Sequence, residues 1–252
     1  MGHQKYAGKH EVCRQPSKLR RVEFDSPYPL QYMKRLILLL TLFICNASAT
    51  EAYVVYDMES QSIVDSKNSN NTQSIASLSK LMTAMVCIDS GNCNQTLLNR
   101  LLVRSDNHAS EKIAESYIGG RVKFLNDMNA KAQSLGLTET KFIDPSGLSV
   151  FNRSTATEYS RVVLEAEKYP LIKQISSSRV VKDRKESLQN TNSFLLTLYK
   201  NIVLSKTGYT SQAGHCLALV VEKPTKKFII VILGEHSSAR RIKTAEKLIS
   251  ML

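Results

Sequence analysis

The segment Ile75-Ala76-Ser77-Leu78-Ser79-Lys80-Leu81-Met82-Thr83-Ala84-Met85-Val86 carries the strongest local pattern in the chain. Its apolar residues at 78, 81, 82, 85 and 86 recur at the i, i+3, i+4, i+7, i+8 spacing of one helix face. The pattern predicts a helix that Gly91 ends. Because Ser77 and Lys80 are three residues apart, nearly one helical turn, we expect both side chains on one face at the helix start.

This Ser-x-x-Lys spacing suggests nucleophilic catalysis. A serine hydroxyl is a weak nucleophile until a neighbouring group removes its proton. Lys80 can remove it only when uncharged, which burial beside Leu81 and nearby cations would favour by lowering the lysine pKa. A helix start also places free backbone N–H groups near the oxyanion that forms during attack on a carbonyl. Taken alone, the pair equally fits a helix N-cap serine beside a solvated lysine.

A second short motif, Ser105-Asp106-Asn107, opens another predicted helix. Ser105 would relay a proton toward the leaving group, and Asn107 would hold the substrate amide. The same residues also fit an ordinary helix N-terminus, in which a capping serine precedes polar residues. His108 follows the motif, but we do not assign it a catalytic role because Lys80 already occupies the position of the base.

A third motif, Lys206-Thr207-Gly208, lies at the end of a predicted strand. There, Lys206 and Thr207 would bind a substrate carboxylate or lie over the serine, and Gly208 would let the backbone approach an extended peptide. Alone, the motif also fits a strand-to-turn junction. The three motifs in this order predict a serine acyl-transfer site.

The rest of the chain predicts an α/β fold. Short β-rich or apolar runs predict strands near both ends, at 52–56, 62–64, 202–204, 216–221 and 228–233. Helical patterns lie between them, at about 105–118 and 122–135 and from a capping box at 155–158 to just before Pro170. A last helix has one apolar face, formed by Ile242, Ala245, Ile249 and Leu252. This order predicts one sheet with a helical subdomain at about 90–195 beside it.

The N-terminal part has the pattern of an export signal. Met33-Lys34-Arg35 precedes an apolar run at 36–44 and the small-residue site Ala47-Ser48-Ala49, which together predict a cleaved signal peptide at 33–49. Residues 1–32 are then either an over-extended start or a disordered extension. We expect the folded domain at 50–252, in the periplasm.

Composition narrows the possible partners and cofactors. Residues 1–49 carry eight Lys or Arg and three Asp or Glu, so +5 of the +12 net charge leaves with them. No basic stripe with interleaved aromatic residues occurs, so we expect no nucleic-acid partner. No His-Glu-x-x-His or paired-cysteine motif occurs, so we expect no metal and no cofactor. Cys87 and Cys93, six residues apart, could form a disulfide in an oxidising compartment.

These motifs resemble those of the serine D-alanyl-D-alanine peptidases, the low-molecular-mass penicillin-binding proteins, which use this trio. The chain is similar to their D-alanyl-D-alanine endopeptidase branch, the penicillin-binding protein seven type. The likeness extends over nearly all of residues 52–252 and is strongest at 75–86, 128–137, 144–149, 206–210 and 213–217.

The resemblance implies a fold, a chemistry and partners. The fold would be β-lactamase/transpeptidase-like, with an antiparallel sheet flanked by helices. Ser77 would form an acyl-enzyme, and the backbone N–H groups of Ser77 and Tyr209 would form the oxyanion hole. Substrates would be peptidoglycan stem peptides, cut at terminal D-alanine, and their D-alanyl cross-links. β-Lactam antibiotics would be covalent inhibitors, and we expect no stable membrane anchor.

Two alternatives to this assignment stay open. The connector between Lys80 and Ser105 is shorter than in relatives, so one wall of the cleft could be missing and the chain could be an inactive wall-binding relative. A class A-like β-lactamase uses the same trio but needs a glutamate that activates water. Glu186 and Asn190 have a suitable mutual spacing, but they lie too near Lys206 in sequence for that role.

Overall fold

The computed structural model describes residues 50–183 and 186–252, so the predicted extension at 1–32 and signal peptide at 33–49 lie outside the described residues. The described strands are β1 Ala52–Asp57, β2 Ser62–Lys67, β3 Gln73–Ser74, β4 Arg153–Ser154, β5 Val180–Asp183, β6 Glu186–Gln189, β7 Ile202–Thr210, β8 Gly214–Glu222 and β9 Lys227–Glu235. The described α-helices are α1 Lys80–Asp89, α2 Gln95–Asn99, α3 Asn107–Ser116, α4 Gly120–Ser134, α5 Ala156–Glu167, α6 Pro170–Ser176, α7 Ser193–Leu198 and α8 Ser238–Ser250.

The main sheet has five antiparallel strands in the order β2-β1-β9-β8-β7. Its central strands are apolar on both faces because helices cover both. On β9, Ile229 and Val231 pack in one buried cluster with residues of α5. Ile230 and Ile232 pack in a second cluster with residues of α8. The predicted α/β fold with an antiparallel sheet flanked by helices is confirmed.

The predicted strands are all present, and most are longer than the patterns indicated. The largest difference is β7, which was expected to stop at residue 204 but continues to Thr210. Lys206-Thr207-Gly208 therefore lies inside a strand and not at its end. Because β7 is one of the two edge strands of the sheet, one side of its backbone is free of a neighbouring strand.

The predicted nucleophile helix has a tighter beginning than expected. Ala76–Ser79 forms a 3₁₀ turn, and α1 begins only at Lys80. Ala76 has a φ of 47°, an uncommon left-handed conformation for a residue other than glycine. The helix ends at Asp89, and Gly91 follows with a φ of 69°, as the sequence predicted.

The connector between Lys80 and Ser105 folds into structure that the sequence pattern did not reveal. It contains α2 and a short π-helical segment, Arg100–Arg104. A disulfide joins Cys87 at the end of α1 to Cys93, which confirms the pairing considered above. The connector after α1 is thus built from one disulfide and two short helical pieces.

The central helices share the main core of the molecule. Phe124 and Met128 on α4 are fully buried, and Leu125 and Leu135 pack partly buried against the same cluster. Since this cluster also contains one face of the sheet, the bounds of a separate subdomain at about 90–195 stay a prediction. No helix in the described residues is long and apolar enough to cross a membrane.

Candidate active site

The three motifs meet on one side of the sheet, against the 3₁₀ turn that carries Ser77. Lys80 is the first residue of α1, Asn107 is the first residue of α3, and Ser105 lies just before that helix. Lys206 lies on β7. The short connector therefore still brings Asn107, 27 residues further along the chain, within hydrogen-bond distance of Lys80.

Lys80 is the centre of the site. Its side chain is completely buried, and its Nζ atom donates to Ser77 Oγ at 2.8 Å, Asn107 Oδ1 at 2.7 Å and the Ser146 carbonyl oxygen at 2.6 Å. Burial lowers the pKa of Lys80 to about 7, although the nearby carboxylates of Asp144, Asp106 and Glu111 act in the opposite direction. A substantial fraction of this amine is therefore neutral near neutral pH.

The partners of Lys80 also determine where its lone pair can point. The Asn107 Oδ1 atom and the Ser146 carbonyl oxygen can only accept hydrogen bonds, so the neutral amine must donate a hydrogen to each. The lone pair of the neutral amine then faces Ser77 Oγ, and the serine hydroxyl can donate a hydrogen bond to it. This is the arrangement that a general base needs.

A second buried lysine lies beside the first. Lys206 Nζ donates to Ser105 Oγ at 2.8 Å and to the Thr207 carbonyl oxygen at 2.7 Å. Burial, together with the cations Lys80 and Arg241, holds the pKa of Lys206 well below its ordinary value. Ser105 has a φ of 57°, so its serine hydroxyl is held in the site by a left-handed backbone conformation.

Two glycines let neighbouring chain segments close on the nucleophile turn. A Cβ atom at Gly147 would lie 1.9 Å from the Ala76 carbonyl oxygen, and one at Gly208 would lie 3.1 Å from the Ser77 backbone nitrogen. The turn is therefore held between the loop that contains Gly147 and strand β7. Tyr209, the next residue of β7, is exposed, and its ring stacks on His215 with centroids 4.3 Å apart.

Asp144 organises the loop that supplies the carbonyl group to Lys80. Its buried carboxylate accepts hydrogen bonds from the backbone N–H groups of Ser146 at 2.7 Å, Gly147 at 2.6 Å and Ser149 at 2.6 Å. These hydrogen bonds hold the pKa of Asp144 below its ordinary value despite its burial. The carboxylate fixes the loop so that the Ser146 carbonyl oxygen points toward the amine.

Arg241, a buried cation near the site, was not predicted from the sequence. It lies on α8, is 7% exposed, and its charge lowers the pKa values of both Lys206 and His215. Its Nε atom has no hydrogen-bond partner among the described residues. A signal was present in the pattern, because Arg241 precedes buried Ala245 by four residues and so occupies the apolar face of the helix.

The remaining candidates lie outside the catalytic group. Glu186 is on β6, and its carboxylate pairs with Arg100 and Arg104, so it is not positioned as the water-activating glutamate of a β-lactamase. Asn190 donates to backbone carbonyl groups of Ser176 and Ser178.

A half-buried serine on a 3₁₀ turn, hydrogen-bonded to a buried lysine at the start of the next helix and lying beside an antiparallel sheet, is the arrangement of a serine peptidase or acyl transferase. A family model described as D-alanyl-D-alanine carboxypeptidase matches residues 45–96 and 93–237. The chain belongs to this family of serine-type D-alanyl-D-alanine peptidases, which are hydrolases.

Individual relatives agree with this membership. The D-alanyl-D-alanine endopeptidase of Escherichia coli is 32% identical over 237 aligned residues, which cover 78% of this chain and 76% of that protein. The D-alanyl-D-alanine endopeptidase of Pseudomonas aeruginosa is 30% identical, with 75% of this chain and 73% of that protein covered.

Solved structures agree as well. A penicillin-binding protein of Listeria monocytogenes in its cefotaxime-bound form superposes with a TM-score of 0.73 at 26% identity, covering 79% of this chain and 95% of that structure. A mutant DD-transpeptidase of Streptomyces shares the fold, with a TM-score of 0.73 at 22% identity and the same coverage.

Proposed function

We propose that Ser77 is the nucleophile and Lys80 the general base of a D-alanyl-D-alanine endopeptidase that cuts peptidoglycan cross-links. The observation that carries this proposal is the 2.8 Å contact between Ser77 Oγ and a buried lysine nitrogen whose pKa is about 7. A lysine exposed to solvent would be protonated at neutral pH and could not accept the serine proton.

The reaction follows from these positions. The neutral Lys80 amine takes the proton of Ser77 Oγ while the oxygen attacks the carbonyl carbon of a D-alanyl bond. The backbone N–H groups of Ser77 and Tyr209 stabilise the resulting oxyanion. As the C–N bond breaks, the proton that Lys80 took from Ser77 passes through Ser105 to the leaving amine, so Lys80 is neutral again, and Asn107 holds the substrate amide. A water molecule then attacks the ester carbonyl while Lys80 accepts the water proton. Lys80 returns that proton to Ser77 Oγ as the ester C–O bond breaks.

Strand β7 and the cations near it provide the substrate contacts. The free edge of β7 can pair with an extended peptide, as exposed sheet edges do with peptide ligands. Lys206, Thr207 and Arg241 would then bind the carboxylate of the D-amino acid that leaves. The positive charges of Lys206 and of the buried Arg241 guanidinium would balance the negative charge of the bound carboxylate. The Arg241 Nε atom otherwise lacks a hydrogen-bond partner among the described residues.

The relatives guide the choice of substrate, inhibitor and compartment. Two relatives that are 30% or more identical carry the name D-alanyl-D-alanine endopeptidase, which supports cross-links as substrates. The cefotaxime-bound neighbour supports covalent inhibition of this chain by β-lactams. The Cys87–Cys93 disulfide and the signal-peptide pattern support the oxidising periplasm as the compartment.

The test uses purified cross-linked muropeptide dimers. The wild-type protein is expected to convert dimers into monomers, whereas Ser77→Ala is expected to leave them intact. Ser134→Ala, an exposed serine on α4, is the matched control and is expected to behave as wild type. Release of free D-alanine while dimers remain intact would instead establish a carboxypeptidase. Equal cleavage by Ser77→Ala would remove the catalytic assignment altogether.

A further inference from the structure

A groove outside the catalytic group contains two cations that lie opposite each other. Lys141 and Arg153 form an isolated antiparallel bridge, with the Lys141 N–H donating to the Arg153 carbonyl oxygen at 2.9 Å and the Arg153 N–H donating back at 3.0 Å. Directly opposite residues of an antiparallel pair place their side chains on the same face. Like charges in this arrangement repel each other, so the pair costs stability unless an anion lies between them.

Neither cation has an acidic partner in the part of the chain that the structure describes. No carboxylate oxygen lies within ion-pair distance of Lys141 or Arg153 there. The carboxylate of Glu139, which shares the groove, accepts a hydrogen bond from Thr72 Oγ1 at 3.0 Å. Among the described residues, the Arg153 guanidinium donates only to the Thr72 carbonyl oxygen, at 3.2 Å. Both cations are exposed and available to a ligand.

The groove has the size and lining of a peptide-binding site. Its volume is about 910 Å³, and beside the two cations it is lined by the amide of Gln133 and by the ring of Phe151. That phenyl ring is 64% exposed, so its face is available to an apolar part of a ligand. Cations next to an exposed ring suit an acidic peptide with apolar side chains.

The groove is also within reach of the nucleophile. Arg153 is paired with Ser74, which lies three residues before Ser77. Three residues of chain span at most about 11 Å, and a strand pair adds about 5 Å, so a peptide of about five extended residues can bridge the two positions. The loop 143–151 connects them as well, because Phe151 lines the groove and Ser146 contacts Lys80.

We infer that this groove binds the second, carboxylate-bearing stem peptide of a cross-linked substrate, with Lys141 and Arg153 contacting its carboxylates and Phe151 its apolar part. This inference rests on the proposed function and extends it to a second substrate site. A cross-link has two stem peptides and a free stem has one, so the groove would select cross-links over single stems.

The test compares two double charge reversals. Lys141→Glu/Arg153→Glu alters the groove, and Lys200→Glu/Lys243→Glu makes the same charge change at exposed lysines outside it. The groove variant is expected to lose at least tenfold in kcat/KM on cross-linked dimers, mainly through KM. Its rate of acylation by a fluorescent penicillin should stay within twofold of wild type, because that ligand has no second stem. The control variant should stay within twofold in both assays.

Two results would overturn the inference. Dimer cleavage that matches the control variant would mean that the cations do not contact the substrate. A parallel fall in penicillin acylation would mean that the pair acts on the fold or on the catalytic group. Binding of dimers to Ser77→Ala, with and without the two charge reversals, separates this question from the proposed function. A wild type that cleaves no dimer contradicts the proposed function, while a tenfold weaker Kd in the charge-reversed protein still supports the groove.

Discussion

The Nζ atom of Lys80 lies 2.8 Å from Oγ of Ser77, and the other two hydrogen-bond partners of that nitrogen are pure acceptors. A neutral amine in this position can donate two hydrogen bonds and turn its lone pair to the serine. The Lys80 amine is therefore oriented by an amide and a backbone carbonyl group that come from distant parts of the chain.

Replacing Lys80 by a permanently charged group is expected to slow acylation strongly. Arginine stays protonated at any pH at which the protein is folded, so Lys80→Arg keeps a cation but provides no lone pair. Loss of general-base catalysis predicts a fall of about 10²- to 10⁴-fold in the second-order rate constant for a fluorescent penicillin. Lys112→Arg on the exposed side of α3 is the matched control and should react at the wild-type rate. Labelling of Lys80→Arg at the wild-type rate would contradict the assignment.

The acylation rate is expected to depend on pH through the same nitrogen. Below the Lys80 pKa of about 7 the amine is protonated and cannot act as a base, so the rate should fall about tenfold per pH unit on the acid side. The Asp144 carboxylate raises this pKa, so Asp144→Asn should move the acid limb to lower pH. Stopped-flow acylation between pH 5 and 9 measures both profiles. An acid limb at the same pH in both proteins would show that the limb does not report the ionisation of Lys80.

Closing the space at Gly147 is expected to displace the nucleophile turn. In Gly147→Ala the new Cβ atom would meet the Ala76 carbonyl oxygen at 1.9 Å, and relieving that overlap should cost about 1–3 kcal/mol of unfolding free energy. Acylation should fall as well, since the turn carries Ser77.

Gly91→Ala is the control for this substitution, because Gly91 also has a positive φ but its Cβ atom would meet nothing within 4 Å. It should carry only the backbone strain of about 1 kcal/mol, with normal acylation. Denaturant unfolding and penicillin labelling of both variants compare the two. Equal stability and equal labelling would refute the packing argument.

Removing the disulfide is expected to destabilise the fold. A bridge between residues six apart in sequence raises the free energy of the unfolded chain by about 2 kcal/mol, because it reduces the conformational entropy of that chain. Cys87→Ser/Cys93→Ser should therefore lower Tm by about 4–8 °C. A reducing agent should lower the Tm of the wild type by a similar amount and leave the double variant unchanged. A wild-type Tm that does not respond to the reducing agent, despite confirmed reduction, would argue against a stabilising bridge.

Local patterns in the sequence were sufficient for much of the fold. The alternation in β1 predicted a strand. The continuous apolar runs of β8 and β9 also predicted strands, because a sheet covered by helices on both faces needs apolar residues on both. The apolar stripe of α1 was likewise visible. The continuation of β7 through Gly208 was not visible in the sequence, since a glycine weakens a strand pattern. The pairing of β7 with β8 stabilises this part of the strand in the structure.

The order and chemical identity of the three motifs could be read from the sequence, as could the three-residue spacing that brings Ser77 and Lys80 to one side. The burial of Lys80, its orientation by Ser146 and Asn107, and the position of Arg241 near the second lysine became apparent in the folded structure. The physical reason is that periodicity records the contacts of a residue with its own helix or strand. A pKa depends instead on desolvation and charge from segments that are far apart in the chain.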